Sequence, residues 1–247
     1  VVGDARDRPG LLKTLVRHES GFVLVLNLGD AADDVPRMVA ARTLPAVVWR
    51  GRFASWGAYV ASLRSAYRRR LTRIEQDGAC LERVERPRGE FSESMYAQYL
   101  AVLARSKGRL ETLSADFFRN LPAEFRLTEY RRGARGVGWR ICREDGCAPG
   151  RLLFFLGGVD EEVNREVPVY FTMLRDVLKE GIEAGVASIE FGQTAEVPKL
   201  RLGGGMEARY MLMTHSNAAL RLALRGLRPL LEYRLRGPIP RVYREAP

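Results

Sequence analysis

The residues of this chain that could do chemistry are concentrated in 187–205, Ala-Ser-Ile-Glu-Phe-Gly-Gln-Thr-Ala-Glu-Val-Pro-Lys-Leu-Arg-Leu-Gly-Gly-Gly. An apolar strand ending at Phe191 breaks at Gly192, polar side chains follow at Gln193, Thr194 and Glu196, and a short helical turn carries Lys199 and Arg201. Three successive glycines, Gly203 to Gly205, allow positive φ or a close backbone approach. Lysine is scarce: of 40 basic residues only Lys13, Lys107, Lys179 and Lys199 are lysines. A lysine kept in so arginine-rich a chain suggests a place for a compact point charge, where a planar fork would not serve. The plain alternative is a strand, turn and strand with a solvated cation.

Phe-Gly-Gln-Thr-Ala-Glu-x-x-Lys-x-x-Leu-Gly-Gly resembles the "FGRTAEEVKxRLGA" segment of the FemAB-like branch of the GNAT acyltransferases. A second stretch, Trp56-Gly-Ala-Tyr-Val-Ala-Ser-Leu-Arg-Ser-Ala-Tyr-Arg-Arg-Arg, is similar to that branch's "YLxSLSSKYRxxLRR". The resemblance spans roughly residues 43–236. It implies transfer of an acyl or aminoacyl group from an activated donor to an amine. Acyl-CoA is the first expectation for the donor, with aminoacyl-tRNA or a carrier-protein thioester behind it. The resemblance also implies that Lys199 serves the oxyanion or a donor phosphate. Glu190 or His215 would then relay the amine proton, and Gln193 and Thr194 would orient the substrate. Arg201, Arg70, Tyr67 and Asn217 complete the expected binding set. A non-catalytic RNA- or partner-binding module that kept the fold is the competing class.

At 247 residues, with 46% hydrophobic and 28% charged residues, the chain has the composition of a soluble globular protein. No apolar run reaches the ~20 residues of a membrane span. The net charge of +10 favours anionic partners such as CoA phosphates, tRNA, an acidic carrier protein or a membrane surface. The acceptor, a small-molecule or peptide amine, is not legible. Three cysteines without a C-x-x-C fit free thiols in a reducing, cytoplasmic compartment. Two histidines, His18 and His215, cannot build a His-rich metal site. The N-terminus shows neither signal-peptide architecture nor an initiator Met, which leaves room for upstream residues.

These residues need elements to hold them. A helix is expected over Leu11–Arg17, a strand over Gly21–Leu28, a helix over Asp30–Ala41 despite Pro36, and a strand over Leu44–Trp49. One long amphipathic helix should run from Ser55 to Gly78, with Trp56, Leu63, Tyr67 and Ile74 within about 40° of one another. Arg70 lies about 20° from Leu63 on that wheel, so its guanidinium needs a carboxylate or a phosphate partner, while Arg68, Arg69 and Arg73 point away. Further helices are expected over Phe91–Arg105, from Ser114, over Val169–Ala184 and over Asn217–Leu227, the last capped by Ser216. A hairpin should join Phe125–Arg131 to Val137–Arg143 through 132–136, with further strands at Arg151–Gly157, around Ile189 and at Tyr210–Met213.

Gly136 and Gly138 imitate the GNAT pyrophosphate loop, but Gly133 stands where Gln or Arg should be and the segment sits in an early hairpin. Residues 157–170 occupy the expected place without the signature, so backbone N–H groups at the start of the Val169 helix are what remains for a phosphate. His215 follows a predicted strand, and Asn217 belongs to the cap of the next helix. Glu190 points away from the face of Ile189 and Phe191.

The expected fold is mixed α+β, a GNAT acyl-CoA N-acyltransferase fold with a mostly antiparallel sheet flanked by helices. Residues 1–88 read as a partial N-terminal companion, 89–236 as the GNAT domain and 237–247 as an irregular tail.

Overall fold

The computed structural model describes residues 8–30, 35–51, 53–105, 112–144, 150–234 and 239–244. In chain order the elements begin with α1 (Arg8–His18), β1 (Phe22–Leu28), β2 (Val39–Arg50), α2 (Trp56–Ser62), α3 (Ser65–Asp77) and β3 (Glu82–Arg86). A short turn of 3-10 helix at Arg88–Glu90 leads to α4 (Glu93–Arg105), α5 (Ala115–Arg119), β4 (Phe125–Arg132), β5 (Arg135–Glu144) and β6 (Arg151–Val159). Then come α6 (Glu161–Glu166), α7 (Val169–Glu183), β7 (Ser188–Glu190), α8 (Glu196–Leu200), β8 (Gly205–His215) and α9 (Ala218–Leu231). The fold is mixed α+β, with eight mostly antiparallel strands and flanking helices. No helix among the described residues is long and apolar enough to cross a membrane.

The chain forms two compact units, Val1–Ala46 with Met206–Pro238, and Val47–Gly205 with Ile239–Pro247. In the first, β1 runs antiparallel to β8, Phe22 opposite His215 and Leu24 opposite Met213. Leu12, Val35 and Leu212 make one small core there, and Val39, Ala41 and Met213 another.

In the second unit the strand order is β2, β7, β6, β5, β4, β3. All pairings are antiparallel except that of β6 with β7. Its main core packs α4 and α5 on the sheet through Phe91, Met95, Tyr99, Phe118, Leu127, Trp139 and Ile141. Each such side chain contributes roughly 1.5–3 kcal/mol by leaving water. Trp139 is fully buried because its indole N–H donates to Met95 O at 2.8 Å. A polar seam ties α7 to the sheet: buried Arg140 donates to Glu180, and Tyr130 Oη donates to Asp176 at 3.1 Å.

Three expectations change. The helix foreseen over Asp30–Ala41 is not there: residues 31–34 lie outside the described residues, 35–38 turn, and β2 begins at Val39. Val39 and Ala41 are buried while Ala40 is only partly so, and this alternation overrides the helical preference of alanine. The long helix from Ser55 breaks at Leu63, whose ψ of 144° is extended. The tail holds the break open, since Arg64 N donates to Val242 O and Arg244 N to Ser62 O. Asn217 rather than Ser216 caps α9, its Oδ1 accepting from Ala219 N at 2.8 Å, and Ser216 Oγ instead accepts from Gly21 N. Ser114 caps α5 as expected.

The tail also explains one glycine. Gly203 has φ +83°, and a Cβ there would overlap the Tyr243 hydroxyl. That ring cannot swing away, because Tyr243 Oη accepts from Trp49 Nε1 at 3.0 Å and the ring stacks on Phe53. Gly203→Ala is expected to cost about 1–3 kcal/mol, read as a lower denaturation midpoint. Gly89→Ala, with open space around it, should be nearly neutral; equal midpoints for the two variants would refute the packing role.

Candidate active site

Strands β6 and β7 run side by side for only three residues, Arg151–Leu153 against Ser188–Glu190. Beyond Glu190 the chain turns to β2, where Phe191 N donates to Val47 O at 2.8 Å and Val47 N to Gly192 O at 3.0 Å. β6 continues to Val159 paired only with β5. Two parallel strands therefore part at Leu153 and Glu190 and leave one edge of β6 open. Glu190 sits at the parting, ion-paired with Arg151.

After β7 the chain takes positive φ at Gly192 (+72°), Thr194 (+61°) and Ala195 (+46°) before α8 begins. Positive φ at two adjacent non-glycine residues costs free energy and needs external support. Lys199 supplies it. Its side chain is 2% exposed, and its Nζ donates to Gln193 O at 2.9 Å and Thr194 O at 2.7 Å, with Gly192 O at 3.4 Å. All three ammonium donors go to this turn. A guanidinium is too broad to sit among three converging carbonyls. Gln193 is half-buried and Thr194 exposed. The turn after α8 is clamped in its own way, since buried Tyr59 Oη donates to Leu202 O at 3.0 Å.

Arg201 caps the C-terminus of α8 and lines an open cleft of about 860 Å³. The other walls are α3, with Tyr67, Arg69, Arg70 and Arg73, and the start of α7, with Pro168 and Phe171. The Arg70 guanidinium lies over the Phe171 ring, 4.8 Å from its centroid. Burial, with the nearby positive charge of Arg201, lowers the Arg70 pKa. Among the described residues none of these four arginines pairs with a carboxylate, and Asp77 is the one acid on the lining. Arg69 and Arg73, expected to point to solvent, are exposed and line this open cleft beside Arg70, on the helix that begins after the break at Leu63. No sequence signal marks that break.

The first two amides of α7 are bonded from within the chain. Val169 N donates to Val167 O at 2.7 Å, and Tyr170 N donates to Asn164 Oδ1 at 2.9 Å. Asn164 belongs to α6, a helix that the sequence reading did not foresee. Gly157 and Gly158, in the place expected for a phosphate loop, are packing positions: a Cβ would meet Met173 Sδ at 2.8 Å in the first case and the Trp139 indole in the second.

His215 and Asn217 lie in the other unit. His215 Nδ1 accepts from Asn217 N at 2.9 Å, so the neutral ring carries its hydrogen on Nε2 and presents a donor there, not a lone pair. Among the described residues no three His, Cys, Asp or Glu side chains gather as a metal site. Cys147 lies outside the described residues.

Several solved structures share this architecture. The C-terminal domain of a protein described as a lysylphosphatidylglycerol synthetase from Agrobacterium fabrum aligns over 96% of this chain and 82% of its own, with a TM-score of 0.60 at 13% identity. An L-PGS from Bacillus licheniformis aligns over 93% and 80%, with a TM-score of 0.57 at 11% identity. At such identities the likeness is one of fold. A sequence comparison with curated proteins returns no match. Parallel strands that part beside a helix, within a mostly antiparallel sheet, define the class: an acyltransferase of the GNAT fold. Residues 61–200 match the acetyltransferase (GNAT) domain, and the chain belongs to that family.

Burial pulls Lys199 down from an ordinary value near 10.5 to about 8, against the pull of Glu196 and Glu190. Between those values the unfolded chain binds the proton and the folded one does not, so this residue's contribution to stability rises with pH. The stability difference between wild type and Lys199→Met should therefore grow from pH 8 to 10.5, by up to about 3 kcal/mol. Denaturant titrations at four pH values measure it; a flat difference would contradict the buried ammonium.

Proposed function

We propose that this GNAT-family enzyme moves an aminoacyl or acyl group to an amine from a phosphate-bearing donor anchored in the arginine cleft. The observation that carries the reading is the convergence of Arg69, Arg70, Arg73 and Arg201 with a single acid beside them. Like charges held together without neutralisation cost free energy, and a bound anion offsets that cost. Phe171 and Tyr67 give a nucleobase a surface to stack on.

The donor carbonyl would lie where β6 and β7 part, with main-chain N–H groups of the open β6 edge as the oxyanion donors. The amine nitrogen attacks the carbonyl carbon, the tetrahedral intermediate collapses, and the leaving thiol or ribose hydroxyl takes up a proton. Glu190 is the proposed proton acceptor, directly or through water, because it stands at the parting; the geometry of His215 favours it less. Lys199 acts as a positioning residue: by fixing the carbonyls of 192–194 it sets the end of β7 and the approach of Arg201. Gln193 and Thr194 would orient the acceptor amine from that same turn.

An aminoacyl ester of tRNA is the donor favoured here over acyl-CoA. Two of the α7 amides that would receive a CoA pyrophosphate, those of Val169 and Tyr170, are already bonded within the chain. The fold neighbour's name, lysylphosphatidylglycerol synthetase, also speaks of aminoacyl transfer. Acyl-CoA is the second reading, resting on the family, and an acidic carrier protein would dock on the same arginines. The proposed compartment is the cytoplasm, where these donors are made.

Labelled aminoacyl-tRNA and CoA, titrated at 50 and 200 mM salt, separate the readings. A tRNA donor touching six to ten phosphates should lose ~10³-fold or more in affinity across that range. Tight CoA binding with a shallow salt response, and none for tRNA, would reverse the preference.

Arg70→Ala is expected to weaken donor binding by roughly tenfold to a hundredfold, as for loss of a charged hydrogen bond. The melting temperature should stay close to wild type, since no internal ion pair is broken. Unchanged donor affinity in Arg70→Ala and Arg201→Ala alike would remove the cleft from the proposal.

A further inference from the structure

Helix α9 carries an apolar surface that its own unit does not cover. Only Leu224 turns inward, onto the small core of Val39, Ala41 and Met213. Leu222 is 69% and Leu230 80% exposed, and Leu220, Leu227 and Leu231 are each more than two-fifths exposed. At 100° per residue, Pro229, Leu222, Gly226, Leu230, Ala223, Leu227, Leu220 and Leu231 fill an arc of about 200° without a charge. Arg221, Arg225 and Arg228 stand together on the remaining face, with Glu232 the one acid, paired to Arg228. A solvated surface helix has the opposite arrangement, with its charges outward.

Within the same unit, Arg17, Arg37 and Arg221 with His18 and His215 line a pocket of about 240 Å³, in which Glu19 is the one acid. Arg37 is held there at φ +71°. Thr214, buried beside it, donates through Oγ1 to Arg37 O at 2.6 Å. The pocket is of a size and charge for a phosphate group.

We propose that α9 docks this protein on an anionic lipid surface, its leucines entering the headgroup–acyl boundary and its arginines, with the neighbouring pocket, taking lipid phosphates. An apolar arc beside an arginine stripe is the pattern of an interfacial helix. A second copy of the chain fits this surface less well, because pairing two α9 helices would bring six arginines together against two glutamates. The proposal is independent of the donor and acceptor argued above.

The test is co-flotation of the full chain with phosphatidylcholine vesicles and with vesicles containing roughly one-third phosphatidylserine. Binding is expected only to the second kind. Leu222→Gln with Leu230→Gln should abolish it while leaving the circular dichroism spectrum and melting temperature unchanged, since both side chains are exposed. Arg225→Gln should weaken it about fivefold, the effect of one basic residue near a charged surface, and Arg37→Gln should weaken it as well. The proposal is overturned if wild type ignores both vesicles, or if the double leucine variant still floats with phosphatidylserine. It is equally overturned if sedimentation shows a wild-type dimer that the leucine variant loses and that does not bind vesicles, since a second copy then covers the helix.

Discussion

One buried ammonium organises the site. Lys199 holds three main-chain carbonyls of a turn that has positive φ at Gly192, Thr194 and Ala195. Without the Nζ hydrogen bonds these carbonyls would each lose a donor in a poorly solvated space. The same turn ends β7 at the point where it leaves β6, and through α8 it delivers Arg201 to the cleft. A point charge with three tetrahedral donors suits the task where a planar fork does not, which accounts for a lysine in a chain so rich in arginine.

Charge is distributed with a clear asymmetry. Beneath α7 cations meet carboxylates: buried Arg140 pairs with Glu180, and half-buried Arg175 with Asp176, which also receives the Tyr130 hydroxyl. Breaking one such pair would leave an uncompensated charge in the interior. In the cleft between α3 and α7 the guanidiniums outnumber the acids four to one. The first arrangement ties α7 to the sheet, and the second concentrates positive charge along the cleft. The same helix serves both, its sheet-facing side carrying Asp176 and its first turn Phe171.

The departures from the family's usual phosphate site follow from packing. α6 brings Asn164 to the first turn of α7, and the two glycines at the end of β6 are pressed between Met173 and Trp139. The Val169 and Tyr170 amides, bonded within the chain, are not free to cradle a pyrophosphate. A site built from arginine side chains tolerates a larger and more extended polyanion than a row of amides does.

Much of this was legible in the residues themselves. The scarcity of lysine, the break at Gly192, the run of glycines, the hairpin between β4 and β5, and the apolar stripes of α4 and α7 all followed from types and spacing. These features are local: a glycine's φ, a cap at Ser114 and a 3.6-residue period are set within a few neighbours. The sequence also placed Arg70 on a buried side and demanded an anionic partner for it. It could not show that, among the described residues, no carboxylate pairs with it, nor that the helix would break at Leu63, because Val242 and Arg244 hold that break from the far end of the chain. Residues 39–41, which locally favour a helix, became strand because Val39 and Ala41 found an apolar partner in Met213. Spacing singled out Lys199 and Arg70 as candidates; the local turn decided that Lys199 spends its hydrogen bonds on carbonyls of 192–194, and contacts between residues distant in the chain brought Arg70 and Arg201 to one cleft.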